Sequence, residues 1–153
     1  MSYKISLEGF ERTYDEIESL YREHYQTMID RMAECGVEIS PYNPRKDAYF
    51  KAGRNGSLLT FILRYEGDAV GYCNIYLTHD MHNFDMIATE DAIYVTPEHR
   101  KGSGRLLCLE VHEELKRRKV KRLAVTTSTD LRVSKWLERL GYKHTAHHMT
   151  KTF

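Results

Sequence analysis

The sequence predicts an α/β fold, a sheet with helices on both faces, and three observations carry that prediction. Short apolar-rich stretches over 58–65, 69–77 and 86–95, bounded by turn residues, read as strands. Tyr14, Ile17, Tyr21, His24, Met28 and Met32, and later Leu106, Leu107, Val111 and Leu115, recur at helical spacing, as on helices with one buried stripe. Strands and helices interleave along the chain with no linker, repeat or low-complexity stretch between them, which suits stacked layers of sheet and helix.

The elements follow in order. Residues 3–7, YKISL, read as a first strand. The long helical pattern stops at Gly36, which tolerates the left-handed backbone that ends helices. Pro41 and Pro44 mark a loop, with a short helix after it, and Gly53, Asn55 and Gly56 mark a turn. Residues 58–65 and 69–77 form a hairpin about a turn at 66–68, and "THDMHNFD" is a polar connection to the strand 86–95. Pro97 closes that strand because it has no N–H for a ladder. A helix from 103 to about 116 follows, then a strand in "KRLAVTT". A last helix opens with Ser128, Thr129 and Asp130 as caps and ends at Gly141, and "YKHTAHHMTKTF" supplies one or two final strands.

Bulk properties narrow the function classes. A chain of 153 residues and 18.0 kDa fits one domain, 1–153, large enough for a sizeable core. A formal charge of +1 gives no general attraction to nucleic acid. Cys35, Cys73 and Cys108 are odd in number and widely spaced, which reads as buried thiols in a reducing compartment. Neither an early apolar run nor an 18-residue one occurs, so a cytoplasmic protein without a membrane partner is expected.

The junction "YVTPEHRKGSGRLLCLE", 94–110, is a strand, a glycine loop and a helix start. Gly102 and Gly104 allow backbone angles closed to other residues and a close approach to a ligand. The N–H groups of the first helical turn lack intrahelical partners and favour an anion. Arg100, Lys101 and Arg105 add positive charge around them. Two familiar phosphate loops fit badly. Lys101 precedes its glycine, against the order of G-x-x-x-x-G-K-[ST], and Leu107 stands where G-x-G-x-x-G needs its third glycine.

At these residues the chain resembles the GCN5-related N-acetyltransferases. Their acetyl-CoA signature, R/Q-x-x-G-x-G/A after a strand ending near V-x-P-E, is similar to "YVTPEHRKGSGRLL", with His99 at the Arg/Gln position. The family's helix ending in L-G-F or L-G-Y is similar to "STDLRVSKWLERLGY". The resemblance implies a mixed, mostly antiparallel sheet of about six or seven strands. It also implies acetyl-CoA as acetyl donor, contacted by Ile93, Val95, His99, Arg100, Lys101, Gly102, Ser103, Gly104, Arg105, Asp130 and Ser134. The pantetheine arm would run beside 91–95, where this strand splays from the next near 124–126. The N–H of Val95 would face the thioester carbonyl as an oxyanion donor. The acceptor would be an amine, on a small molecule or a protein lysine.

That chemistry needs a base for the acceptor proton, and "ATEDAIYV" offers Glu90 and Asp91, on opposite sides of a regular strand unless a bulge intervenes. The resemblance favours Glu90, which stands before Val95 at the spacing of many family members. The resemblance places a tyrosine acid where this chain has Leu137, which leaves Tyr94, Tyr142 or water to protonate the leaving thiolate. Two other readings compete: a catalytically weak CoA-binding regulatory module, and a nucleic-acid contact through the basic run 116–122, which reads more simply as the solvated end of a helix. His79, His82, His144, His147 and His148 have no metal-ligand spacing, and no metal site is expected. The oligomeric state stays open, a homodimer included.

Overall fold

A computed structural model of the chain describes residues 2–127 and 132–153. Its elements are β1 (Tyr3–Glu8), α1 (Phe10–Glu34), α2 (Lys46–Arg54), β2 (Leu58–Tyr65), β3 (Asp68–His79), β4 (Met86–Val95), a 3-10 turn (Pro97–His99), α3 (Ser103–Arg117), β5 (Arg122–Ala124) and α4 (Arg132–Arg139). They fall into two compact units. The first holds Met1–Tyr21 and Pro44–Val125, the second Arg22–Asn43 and Thr126–Phe153.

The first unit carries a five-stranded sheet in the order β1-β2-β3-β4-β5. The first four strands are antiparallel neighbours, and β5 joins β4 in parallel. The sheet is therefore mixed and mostly antiparallel, as expected, but smaller than six or seven strands among the described residues. The difference lies in the tail. Residues 142–153 form no strand, and all but the half-buried Tyr142 are exposed. Their polar, histidine-rich pattern offers no alternating apolar face to bury.

Alternation along the strands sorts the two faces. Leu59, Phe61, Leu63, Cys73, Ile75, Ala88 and Val95 pack with Leu107, Val111 and Leu115 of α3. Cys108 is also buried, whereas Leu106, expected on this face, is 45% exposed. The other face of β3 carries Tyr72, Asn74 and Tyr76. Tyr21 of α1 meets Tyr72 edge-on at 4.5 Å, and Phe10 lies stacked at 5.5 Å from Tyr21 and 4.8 Å from Tyr49 of α2. Arg64 anchors this layer. It bonds both carboxylate oxygens of Glu8 in β1 and both of Glu16 in α1, at 2.7–3.0 Å, and holds both carboxyls below the ordinary glutamate range.

One glycine is required by close packing. A Cβ on Gly71 would lie 2.8 Å from the Tyr94 carbonyl oxygen and 3.1 Å from Val95 Cγ2. The Gly71→Ala variant is expected to lose about 1–3 kcal/mol, the usual range for an overpacked site. A urea midpoint equal to that of the parent would contradict this contact.

In the second unit the helix ends match the sequence reading. After α1, Gly36 has φ +76 and its N–H bonds Ala33, while the Val37 N–H reaches Met32 at 2.9 Å. After α4, Gly141 has φ +96, and Tyr142 N–H reaches Leu137 at 3.2 Å. Both are left-handed caps that satisfy terminal carbonyls. The three predicted cap residues of the last helix lie outside the described residues.

Candidate functional site

The glycine junction turns a strand into a helix by two different devices. Gly102, the residue before α3, has φ +88, a conformation costly for other residues. Gly104 lies within the helix, has no such angle, and has open space where a Cβ would project. The expectation of special angles therefore holds for Gly102 alone. The Leu106 N–H bonds the Gly102 carbonyl at 3.3 Å. The N–H groups of Ser103, Gly104 and Arg105 are thereby left without intrahelical acceptors.

The side chains here divide into structural and solvent-facing groups. Ser103 is buried and its hydroxyl donates to the His99 carbonyl. His99 Nδ1 shares a 2.9 Å hydrogen bond with the Tyr3 hydroxyl, and its ring packs against Tyr3 and Tyr65. Both side chains are engaged within the fold. Arg100 folds back: its Nε donates to the Val95 carbonyl at 2.7 Å, and its guanidinium lies 5.3 Å from the centre of the Tyr94 ring. Lys101 and Arg105 remain exposed and form no ion pair among the described residues.

Beside this junction, among the described residues, part of one edge of β4 has no strand partner. The parallel pairing with β5 covers Ile87, Ala88 and Thr89 and ends there. Among the described residues no strand pairs with 90–95 on that side. On the other side, Thr96 N–H bonds the Val70 carbonyl at 2.9 Å. Alternation along an antiparallel strand then turns the main-chain groups of Val95 and Ile93 toward the bare edge. Arg100 occupies the Val95 carbonyl, so the Val95 N–H faces outward beside a guanidinium. This corner offers donors to an oxygen carrying negative charge.

The two carboxylates part company at a bulge. Asn74 pairs with Ala92 and Ile75 with Glu90, so Asp91 is the extra residue in β4. Glu90 faces the α3 side, where its charge helps to raise the buried Cys73 and Cys108 thiols; burial, the larger cause, carries Cys108 to about 12. Asp91 faces the aromatic side and accepts a 3.0 Å hydrogen bond from the Tyr49 hydroxyl. Although Asp91 keeps contact with solvent, the protein packed about it pushes its pKa up, and the Tyr49 bond opposes that rise. Burial, then the charge of Asp91, pushes the Tyr49 hydroxyl far up, so it stays a donor.

The same face holds buried polar atoms without partners: the Tyr21 hydroxyl, Thr60 Oγ1 and Asn74 Oδ1. Asn74 is near enough to Tyr21 to favour its phenolate, a smaller effect than the opposing burial, yet it makes no hydrogen bond to that hydroxyl. Leaving such a group unsatisfied costs about 1–3 kcal/mol, so a plain packing face seldom carries three. Tyr49 and this polar trio escaped the sequence reading. Tyr49 sits 42 positions from Asp91, and only the sheet brings them together. The one local hint was an aromatic pair, Tyr49 and Phe50, on the short helix.

The remaining candidates are placed as follows. Tyr94 is buried, 6.4 Å from Tyr72 by ring centres, beneath Arg100. Ser134 and Tyr142 are half-buried in the second unit. Asp130 lies outside the described residues. In the basic run, Lys116 pairs with Glu113 and Arg117 and Arg118 with Glu114, while Arg122 pairs with Asp80. Those three carboxylates offset half of the six positive charges in the run. His79 stacks on Phe84 at 4.5 Å, and no cluster suited to a metal ion occurs among the described residues. Among those residues, no helix is long and apolar enough to cross a membrane.

Comparison with known proteins adds an independent line. A family model described as the acetyltransferase (GNAT) family matches residues 14–142. A comparison with curated proteins returned no match. Among solved structures, a ribosomal-protein-alanine N-acetyltransferase from Brucella melitensis biovar Abortus 2308 is similar with a TM-score of 0.71 and 17% identity, over 98% of this chain and 99% of that one. AAC(6')-Iy, solved with the bisubstrate analogue CoA-S-monomethyl-acetylneamine, gives 0.71 and 18% over 100% of this chain and 99% of that one. Glucosamine-6-phosphate N-acetyltransferase from Arabidopsis thaliana gives 0.67 and 12%, over 100% and 99%. At these identities the likeness concerns the fold.

Proposed function

Because the chain belongs to the acetyltransferase (GNAT) family, we propose that it moves an acetyl group from acetyl-CoA to an amine by direct attack, as a single N-acetyltransferase domain. The observation that carries this reading is the bare edge of β4 running into a helix start with free N–H groups. The N–H groups of Ser103, Gly104 and Arg105 would hold the diphosphate, with Lys101 and the Arg105 side chain adding charge. Ile93 and Val95 would pair with the pantetheine arm as a strand would. The coenzyme supplies the thioester. The Val95 N–H stabilises the negative charge that develops on its carbonyl oxygen.

The acceptor approaches from the aromatic face, since α3 covers the other. Asp91 is there, in solvent contact, and we assign it rather than Glu90 as general base. Asp91 takes the acceptor proton, the nitrogen bonds the acetyl carbon, and the carbon–sulfur bond breaks to release CoA thiolate. The unpartnered hydroxyl and amide groups on this face suit a polar, cationic guest. Leu137, buried at the position of the family's tyrosine acid, favours a second reading, a CoA-binding module with little turnover.

Calorimetry with acetyl-CoA, followed by thiol release with lysine peptides, polyamines and drug-like amines, tests both. Saturable binding with transfer to at least one amine is the expected result. Binding without any transfer would favour the module, and no binding by folded protein would overturn the reading.

A further inference from the structure

We propose that Tyr49 is a positioning residue: its hydroxyl, presented by α2, fixes one oxygen of Asp91 and aims the other at the acceptor amine. This inference rests on the assignment of Asp91 as general base and extends it to an element outside the family-like motifs.

Three observations carry it. First, Asp91 is the bulged residue of β4. The ladder therefore does not fix the direction of its side chain as it does for the neighbouring residues, and some other contact must. Second, the Tyr49 hydroxyl supplies that contact, at 3.0 Å to Oδ2. A carboxylate has two oxygens, and holding one leaves the other with a defined orientation. Third, Tyr49 is itself held. Its ring stacks on Phe10 at 4.8 Å with 10° between the planes, and Phe10 is 3% exposed. The hydroxyl thus comes from a ring with little freedom, as a second layer should.

The surroundings leave Tyr49 in charge of Asp91. The titratable groups that sense the Asp91 charge are Tyr49 from α2, Tyr76 and Cys73 from β3 and Tyr21 from α1. Lys46 of α2 stands over the Tyr14 ring at 4.7 Å instead. No cation pairs with Asp91 among the described residues. Burial raises its pKa, and the Tyr49 hydrogen bond is the influence that pulls the other way. The same bond that aims the base also favours its ionised form.

The test is Tyr49→Phe in the full chain, which keeps the ring on Phe10 and removes only the hydroxyl. Carbon-13 NMR of the aspartate carboxyls should show Asp91 titrating at higher pH in the variant, with the melting temperature nearly unchanged. With whichever amine is acetylated, kcat should fall roughly tenfold, the effect of losing one hydrogen bond to a charged group. The acid limb of its pH profile should move up with Asp91, and KM for acetyl-CoA should stay constant. An unmoved Asp91 titration, or a moved one with an unchanged pH profile, overturns the role of Tyr49. Asp91→Asn separates this from failure of the underlying assignment. Full activity in that variant rejects Asp91 as base and the role of Tyr49 with it, whereas an inactive Asp91→Asn beside an unaffected Tyr49→Phe rejects Tyr49 alone.

Discussion

Replacing Gly104 with glutamate should leave the protein folded and remove acetyl-CoA binding. The two effects separate because Gly104 is helical, with open space at its Cβ position. A helix interior prefers glutamate to glycine by several tenths of a kcal/mol, and a carboxylate in the first turn adds about 0.3–1 kcal/mol. Stability should therefore hold or rise. The same carboxylate would sit among the N–H groups assigned to the diphosphate and repel it. A loss of at least about 100-fold in affinity, near 2.7 kcal/mol, is expected by calorimetry. Gly104→Ala is the control: it fills the same space without charge, and the family-like signature admits alanine, so binding should change only a few-fold. Tight binding to the glutamate variant would mean that the diphosphate sits elsewhere.

The second large effect concerns Asp91. Asp91→Asn should lower acetyl transfer by roughly 10²–10⁴-fold, the range for a lost general base, with acetyl-CoA affinity intact. Stability should move in the opposite sense. The folded protein raises the pKa of Asp91 above its ordinary 3.8, chiefly by burial. Folding then favours the protonated form, so ionisation costs stability as pH climbs from 3.8 through the raised value. Asparagine lacks that cost and still offers Tyr49 an acceptor oxygen. Urea midpoints across this window should converge at low pH and favour the variant at neutral pH. A variant that transfers acetyl at the parental rate would remove Asp91 from the mechanism.

Much of this was legible locally. The strands 58–65 and 86–95 show as short apolar runs closed by turn residues, the first buried along six consecutive positions, and Gly36 and Gly141 show because a left-handed cap selects glycine. The junction at 94–110 could be read because strand end, proline, glycine and basic residues follow one another in the chain. What stayed hidden depends on partners distant in sequence. The bulge at Asp91 exists only relative to β3, and nothing in "ATEDAIYV" marks which residue is extra. The retreat of Arg100 to the Val95 carbonyl needs the strand end in place. The tail departs from its reading: one or two strands are expected over 142–153 and none forms, because its residues lack an apolar face.

The stretch of β4 beyond Thr89, which has no strand partner on one side among the described residues, bears on how these molecules behave in company. Naked main-chain donors and acceptors at a sheet's margin are a template for any passing extended segment, and proteins commonly blunt such margins. Here the blunting is built from the neighbouring loop. Arg100 plugs the carbonyl of Val95, and Pro97, just past the strand, has no N–H with which to prolong a ladder. Both devices shorten the stretch along which a further strand could pair.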